Sequence, residues 1–214
     1  MVKLIWDALD DRLVETGVEK GVLFVEGATK GVAWNGLTGV TETPSGAETT
    51  DLYADNQKYG GLQSAEKFGG TIEAYTFPDE WMECDGSVEV VPGLVVGQQP
   101  RKSFDMAYRT NIENVAGGAG SGYKIHLAYG CKAAPSERPY KTVNDSPEAM
   151  TFSWTFTTTP IALDGHKPTA LLTINSTKVT PTALTALEKI IYGDAATEPR
   201  MPTPNEVVTL IGTP

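Results

Sequence analysis

Period-two alternation of apolar and polar residues dominates the middle of the chain. Phe104, Met106 and Tyr108 alternate with Asp105, Ala107 and Arg109, and Tyr123, Ile125, Leu127 and Tyr129 alternate with Lys124, His126, Ala128 and Gly130. Met150, Phe152, Trp154 and Phe156 alternate in the same way with Thr151, Ser153, Thr155 and Thr157. Successive side chains of a strand point to opposite faces, so each run predicts a half-buried strand. The first two are joined by Asn111–Gly122, whose Gly-Gly-Ala-Gly-Ser-Gly core predicts an antiparallel hairpin with a mobile tip. The third run is the sharpest. Burial of a large apolar side chain is worth about 1.5–3 kcal/mol, which predicts a central place for that strand.

Shorter runs complete a strand-rich picture. Gly21–Glu26 holds the apolar run Val22–Val25, and Gly31–Thr43 is glycine-broken, as expected of a strand with a bulge or sharp twist. Thr49–Ala54 and Thr71–Phe77 are rich in Thr, Tyr, Ile and Phe and read as strands; Ser87–Val96 is a Val-rich strand pair or bent strand, broken at Pro92-Gly93; Thr169–Asn175 is a further strand. A Pro-rich spacer, EPRMPTP, precedes a last apolar segment, Val207–Ile211, read as a strand. Only two segments carry helix signals. Pro78 opens a short one, Pro78–Cys84, with Asp79 and Glu80 at its positive end and Asp85-Gly86 as its stop. Thr180 caps a longer one, opened by Pro181 and closed after Tyr192 by Gly193, with Ala183, Leu184, Leu187, Ile190 and Ile191 as one apolar stripe that must lie on a sheet. The expected fold is mainly β: an antiparallel β-sandwich or barrel with one packed α-helix and one short helix. It forms a single domain over residues 1–214, with an N-terminal arm at 1–17, a long loop at 55–70 and a C-terminal extension at 194–214.

The stretch Thr49–Trp81 organises the rest. Between its two strands lies a polar, glycine-punctuated connection, Asp55–Gly70, in which Tyr59, Leu62 and Phe68 are too loosely spaced to build a core. A connection of this length in a compact domain is either functional or disordered, and three large apolar residues argue against disorder. It is expected to order against a neighbouring molecule through Tyr59, Leu62 and Phe68, with Tyr53 and Tyr75 beside them; the alternative is that these residues fold back on their own domain.

Charge then narrows the partners. Lys and Arg number 17 against 27 Asp and Glu, for a net charge of −10, the wrong sign for a protein that binds by neutralising phosphates. The imbalance is uneven. Residues 41–90 carry eleven acidic side chains (Glu42, Glu48, Asp51, Asp55, Glu66, Glu73, Asp79, Glu80, Glu83, Asp85, Glu89) against Lys58 and Lys67, whereas 101–141 carries seven basic ones (Arg101, Lys102, Arg109, Lys124, Lys132, Arg138, Lys141) against Asp105, Glu113 and Glu137. Either this is chance, or one acidic and one basic face support head-to-tail association into rings or filaments.

Signals for catalysis, cofactors and membranes are weak. The two histidines, His126 on the polar side of its strand and His166 in a turn, are scattered and are expected at the surface, and neither has a neighbour at metal-ligand spacing. The glycine-rich run at 117–122 lacks the Lys and Ser/Thr of a phosphate loop, and no Gly-x-Ser-x-Gly elbow occurs. No catalytic, cofactor-binding or metal site is expected. No segment has the apolar length of a membrane span, and the N-terminal residues meet charges too early for a secretory signal, so production in a cytosol with Cys84 and Cys131 as reduced thiols is expected.

Five pieces in fixed order carry a resemblance. Leu52-Tyr53-Ala54-Asp55-Asn56; Gly70-Thr71-Ile72-Glu73-Ala74-Tyr75 followed by Pro78-Asp79; Arg101-Lys102-Ser103-Phe104 with Tyr108-Arg109-Thr110; Gly122-Tyr123-Lys124-Ile125-His126; and Asn144-Asp145-Ser146-Pro147-Glu148-Ala149 with Phe152-Ser153-Trp154 together resemble the major tail tube proteins of long-tailed, non-contractile bacteriophages, from about Val18 to Pro160. The resemblance implies a β-sandwich flanked by a helix that assembles into hexameric rings, stacked into a tube whose inner wall is a continuous β-barrel. Arms or loops then bridge to adjacent subunits and to the next ring. It further implies a virion structural protein rather than an enzyme, with the tape measure protein, the tail terminator and baseplate or tip proteins as partners and DNA passing transiently through the lumen. An acidic wall suits that passage, because like charge keeps DNA from sticking; Glu73, Asp51 and Asp55 are the expected lumen-facing charges. After Pro160 no motif matches. Two rival readings stay open: a carbohydrate-binding β-sandwich, with Trp34 and Trp81 as weak aromatic candidates, and a capsid-decoration or tail-completion protein.

Overall fold

The computed structural model describes Leu4, Trp6, Ala8, Leu9 and residues 12–116, 118–142, 145 and 148–212, with the backbone alone at 118–120. Gly117, most of the N-terminal arm before Arg12, and Asn144, Ser146 and Pro147 of the last resemblance motif lie outside the described residues. The chain is mainly β and antiparallel, as expected. Its strands are β1 (Leu13–Val25), β2 (Val32–Trp34), β3 (Leu37–Glu42), β4 (Ser45–Gly46), β5 (Thr49–Ala54), β6 (Gln57–Gln63), β7 (Glu66–Lys67), β8 (Gly69–Ala74), β9 (Val88–Val91), β10 (Leu94–Val96), β11 (Phe104–Asn114), β12 (Gly118–Ala133), β13 (Phe152–Thr158) and β14 (Leu171–Asn175). The helices are α1 (Trp81–Asp85), α2 (Pro181–Tyr192) and α3 (Pro204–Gly212).

One antiparallel sheet runs in the order β2-β1-β11-β12-β13-β8-β3, with β14 also on β12. The strand that folds this sheet into two layers is β12. Lys124–Ala128 pair with β14 and Cys131–Ala133 pair with β13. Between them Gly130, at φ +58°, breaks the pleat where a side chain would collide with the Thr159 carbonyl oxygen, 2.3 Å from an added Cβ. The Asp105 carboxylate fixes the bend by accepting the Gly130 N–H at 2.7 Å.

Between the layers lies an aromatic core. Trp81 of α1 plugs it, with ring centroids 4.7 Å from Trp34, 4.9 Å from Phe104 and 5.3 Å from Trp154. Both cysteines are buried there as free thiols, and burial pushes the Cys84 thiol up to about 12. A second core forms on the outer face of β1, β11, β12 and β14, where Leu187 and Ile191 of α2 and Val207 of α3 pack on Phe24, Ile125, Leu127 and Ile174. The α2 boundaries match those read from the sequence: the Thr180 hydroxyl accepts the Ala183 N–H at 3.4 Å, Pro181 stands in the first turn, and Gly193 closes the helix.

Several expectations are corrected. The segment Val207–Ile211 is helical, because Thr203 and Glu206 cap each other: the Thr203 hydroxyl accepts the Glu206 N–H at 3.3 Å, and the Glu206 carboxylate accepts the Thr203 N–H at 3.4 Å. The N-terminal arm does not extend to residue 17, since β1 starts at Leu13 and pairs with β11 from Asn114 onward. The short helix starts at Trp81, with Pro78–Glu80 forming the turn before it. In place of a long flexible connection, β12 pairs with β11 from Gly118, which lies opposite Asn114. Met150 precedes β13 and is 43% exposed; Trp154 and Phe156 fill the core there. His126 is 8% exposed, because both faces of β12 are covered and its polar positions are therefore also interior.

Candidate assembly surfaces

A two-stranded ribbon is exposed along nearly its whole length. Strands β3 and β8 do not end at Glu42 and Gly69: the Thr43 N–H donates to the Gly69 carbonyl at 2.7 Å, β4 pairs with β7, and the Ser64 N–H donates to the Glu48 carbonyl at 2.9 Å. Beyond that, β5 pairs with β6 from Thr49↔Gln63 to Ala54↔Gln57. The twelve positions from Thr43 to Ala54 carry the ribbon about 40 Å past the sheet at ~3.3 Å per residue. At its tip Asp55 and Asn56 have φ of +50° and +61°, the left-handed pair that a two-residue hairpin needs and that these residue types tolerate. The expected loop at 55–70 is thus mostly strand. Its signal is the Asp55-Asn56 turn, which lacks the glycine that usually marks such a hairpin.

The ribbon carries a set of large apolar side chains in water. Tyr59 is 80% exposed, Tyr53 71% and Leu62 63%. Thr50 and Leu62 sit opposite each other, as do Leu52 and Gly60, so Leu52 and Leu62 share one face, while Asp51 pairs with Lys58 at 2.7 Å on the other. Isolated two-stranded ribbons are marginally stable in water and gain stability when a third strand or another surface covers them.

The predicted contact residues are only partly brought together. Tyr53, Tyr59 and Leu62 share the ribbon. Tyr75 stands apart just after β8, exposed, with its N–H on the Gly36 carbonyl at 2.8 Å. Phe68 belongs to the domain itself: at the ribbon's root it packs on the interior core, with its ring centroid 6.4 Å from that of Phe156. The three expected lumen charges are also dispersed. Asp51 and Asp55 are on the ribbon, whereas Glu73 is exposed on the outer face of β8, in register with Gly39 and Ser153. That face of β3, β8 and β13 is built from short polar side chains, Thr41, Thr71, Thr155 and Thr157 among them, while α2 and α3 cover the other layer.

A second element exposes apolar side chains that the sequence analysis did not single out. Of the two forms expected for Ser87–Val96, a strand pair or a bent strand, the structure has the pair, and this β9–β10 hairpin exposes Val88, Val90, Val91, Leu94 and Val95. Its signal was available: valines occupy consecutive positions, so both faces are apolar, and a lone hairpin cannot bury both against its own domain. Among the described residues no group of three or more His, Cys, Asp or Glu side chains is placed to hold a metal ion, and no helix is long and apolar enough to cross a membrane. Compared with known families and with curated proteins, the chain matches no family model and no curated sequence.

Proposed function

We propose that this chain is a structural, self-assembling protein of a bacteriophage virion, a major tail tube protein, and not an enzyme. In this reading hexameric rings of the chain stack into a tube that conducts DNA at ejection, after assembly in the host cytoplasm with the tape measure, terminator and tip proteins. The observation that carries it is the ribbon: about 40 Å of paired strand, with Tyr53, Tyr59 and Leu62 in water, is an element that a neighbouring copy completes. Open strand edges support the same mechanism, since β2 and β3 end the strand order and, among the described residues, each pairs with a strand on one side only. The hydroxyl-rich outer face of β3, β8 and β13, with Glu73 upon it, suits a lumen wall along which DNA slides.

Negative-stain microscopy of the concentrated, purified chain tests the reading. Hollow tubes of stacked rings are expected; particles that stay globular at every concentration, alone or seeded with tail tips, would count against it.

A further inference from the structure

We propose that His126, Glu15 and Glu42 form a proton-sensitive latch that holds the root of the ribbon on the sandwich and releases it in mild acid. The latch stands on its own geometry; only its use in timing assembly rests on the tail-tube reading.

Glu42 is the last residue of β3, where the ribbon leaves the sheet. Its carboxylate reaches the other layer and accepts the Tyr108 hydroxyl at 2.6 Å. The Tyr108 ring lies flat on His126, with centroids 4.7 Å apart and an interplanar angle of 3°. On one side of the imidazole, Nδ1 is 3.4 Å from Glu42 Oε1 and 3.4 Å from the Thr173 hydroxyl on β14. On the other, Nε2 is 3.0 Å from Thr110 Oγ1 and 3.7 Å from Glu15 Oε1 on β1. The charged and titratable groups facing the ring are therefore Glu15, Glu42, Tyr108 and Lys124, the last with its ammonium 2.5 Å from Glu15.

These partners fix the proton. The Thr110 hydroxyl donates to Glu15 at 2.5 Å and so offers His126 a lone pair, which places the single imidazole proton on Nε2. A second proton must go on Nδ1. There the nearest carboxylate oxygen, Glu42 Oε1, is beyond good hydrogen-bond length and already accepts the Tyr108 hydroxyl, and stacking and burial keep water from the ring. Burial is the largest influence and holds the His126 pKa below its ordinary value, against the pull of Glu42 and Glu15. A group that binds its proton more weakly in the closed state stabilises that state above the solvated pKa of about 6.5 and loses the contribution as pH falls below it. Acid therefore favours a root in which His126 is hydrated and Glu42 has left Tyr108.

The test uses the full chain as a monomer. Histidine-ring NMR follows His126 from pH 8 to 5, with the exposed turn residue His166 in the same sample for comparison, while hydrogen exchange follows the backbone at 43–48 and 64–69, corrected for intrinsic rates. The expected result is a His126 midpoint below 6.5 and root exchange that quickens with the same midpoint, by about tenfold for each pKa unit of depression, while the β11–β12 amides stay protected. In His126→Gln the root exchange should not respond to pH. Root protection that ignores pH, or responds equally in the variant, overturns the latch; if the variant does not fold, a root midpoint separate from the His126 midpoint does so in the native chain. Neither readout involves tubes, so absence of tubes would count against the tail-tube reading alone.

Discussion

Arg138, in the connection between β12 and β13, is ion-paired with the buried carboxylate of Asp85 at the end of α1. Arg101, just before β11, reaches the same carboxylate at 3.3 Å, and the Arg138 guanidinium lies over the Phe77 ring, 5.8 Å from its centroid. One acidic side chain thus ties together three segments that share no strand pairing. Asp85→Asn leaves two guanidinium groups facing a neutral partner, and removing one member of a buried pair costs about 3–5 kcal/mol. Both arginines keep some access to water, so a loss of about 3 kcal/mol is expected. Urea unfolding should show a lower midpoint at unchanged slope. As a control, Lys102→Gln, at the exposed pair with Glu83, should leave the urea midpoint close to that of the native chain.

The ribbon and its root should respond in opposite ways. Tyr59→Ser with Leu62→Ser removes side chains that touch water in the isolated chain, so stability should move by no more than about 0.5 kcal/mol per site while assembly is lost. Phe68→Ala cuts into the packing against Phe156 and should cost about 2 kcal/mol, leaving the exposed ribbon chemistry intact. Thermal unfolding of monomers together with light scattering of concentrated samples separates the two effects.

Helix α3 depends on its cap. Thr203→Ala removes the acceptor for the Glu206 N–H and loosens the carboxylate that also pairs with Arg200, a change worth about 1 kcal/mol. The loss should appear as faster hydrogen exchange over Pro204–Gly212 and as a lower urea midpoint. Thr203→Ser, which keeps the hydroxyl, should restore most of it.

Reversing the charge at Glu73 probes the polar face of β8. Glu73→Lys replaces an exposed carboxylate on the outer side of the sheet, so the monomer should keep its stability to within about 0.5 kcal/mol. If this face lines a DNA conduit, particles carrying the lysine should retain tube length but eject DNA more slowly, with the delay shrinking as salt rises. An ejection rate equal to that of the native chain would remove Glu73 from the lumen.

Much of the fold was legible because local and global signals agree where one face of an element is buried. Strands β11 and β12 announce themselves by alternation, and α2 by Thr180, Pro181 and Gly193. Where they disagree, tertiary context decided. The β-branched pair Val207-Val208 favours a strand, but the reciprocal Thr203–Glu206 cap and a packing site for Val207 make a helix. Alternation marks Lys124, His126 and Ala128 as the outer side of β12, yet that side faces the interior once β3 closes over it, and His126 is buried beside Glu42. The surfaces offered for assembly were harder to read, because apolar composition does not distinguish Phe68, packed on the core at the ribbon's root, from Tyr59, left in water on the ribbon.

The central claim is that another copy of this chain completes the ribbon. Mixing isotope-labelled and unlabelled chains before assembly, then cross-linking lysines and identifying the pairs by mass, reads this directly, since Lys58 lies on the ribbon and Lys67 at its root. The account predicts that Lys58 cross-links in assembled particles join a labelled chain to an unlabelled one about as often as random mixing allows. Lys58 cross-links confined to a single chain would contradict it.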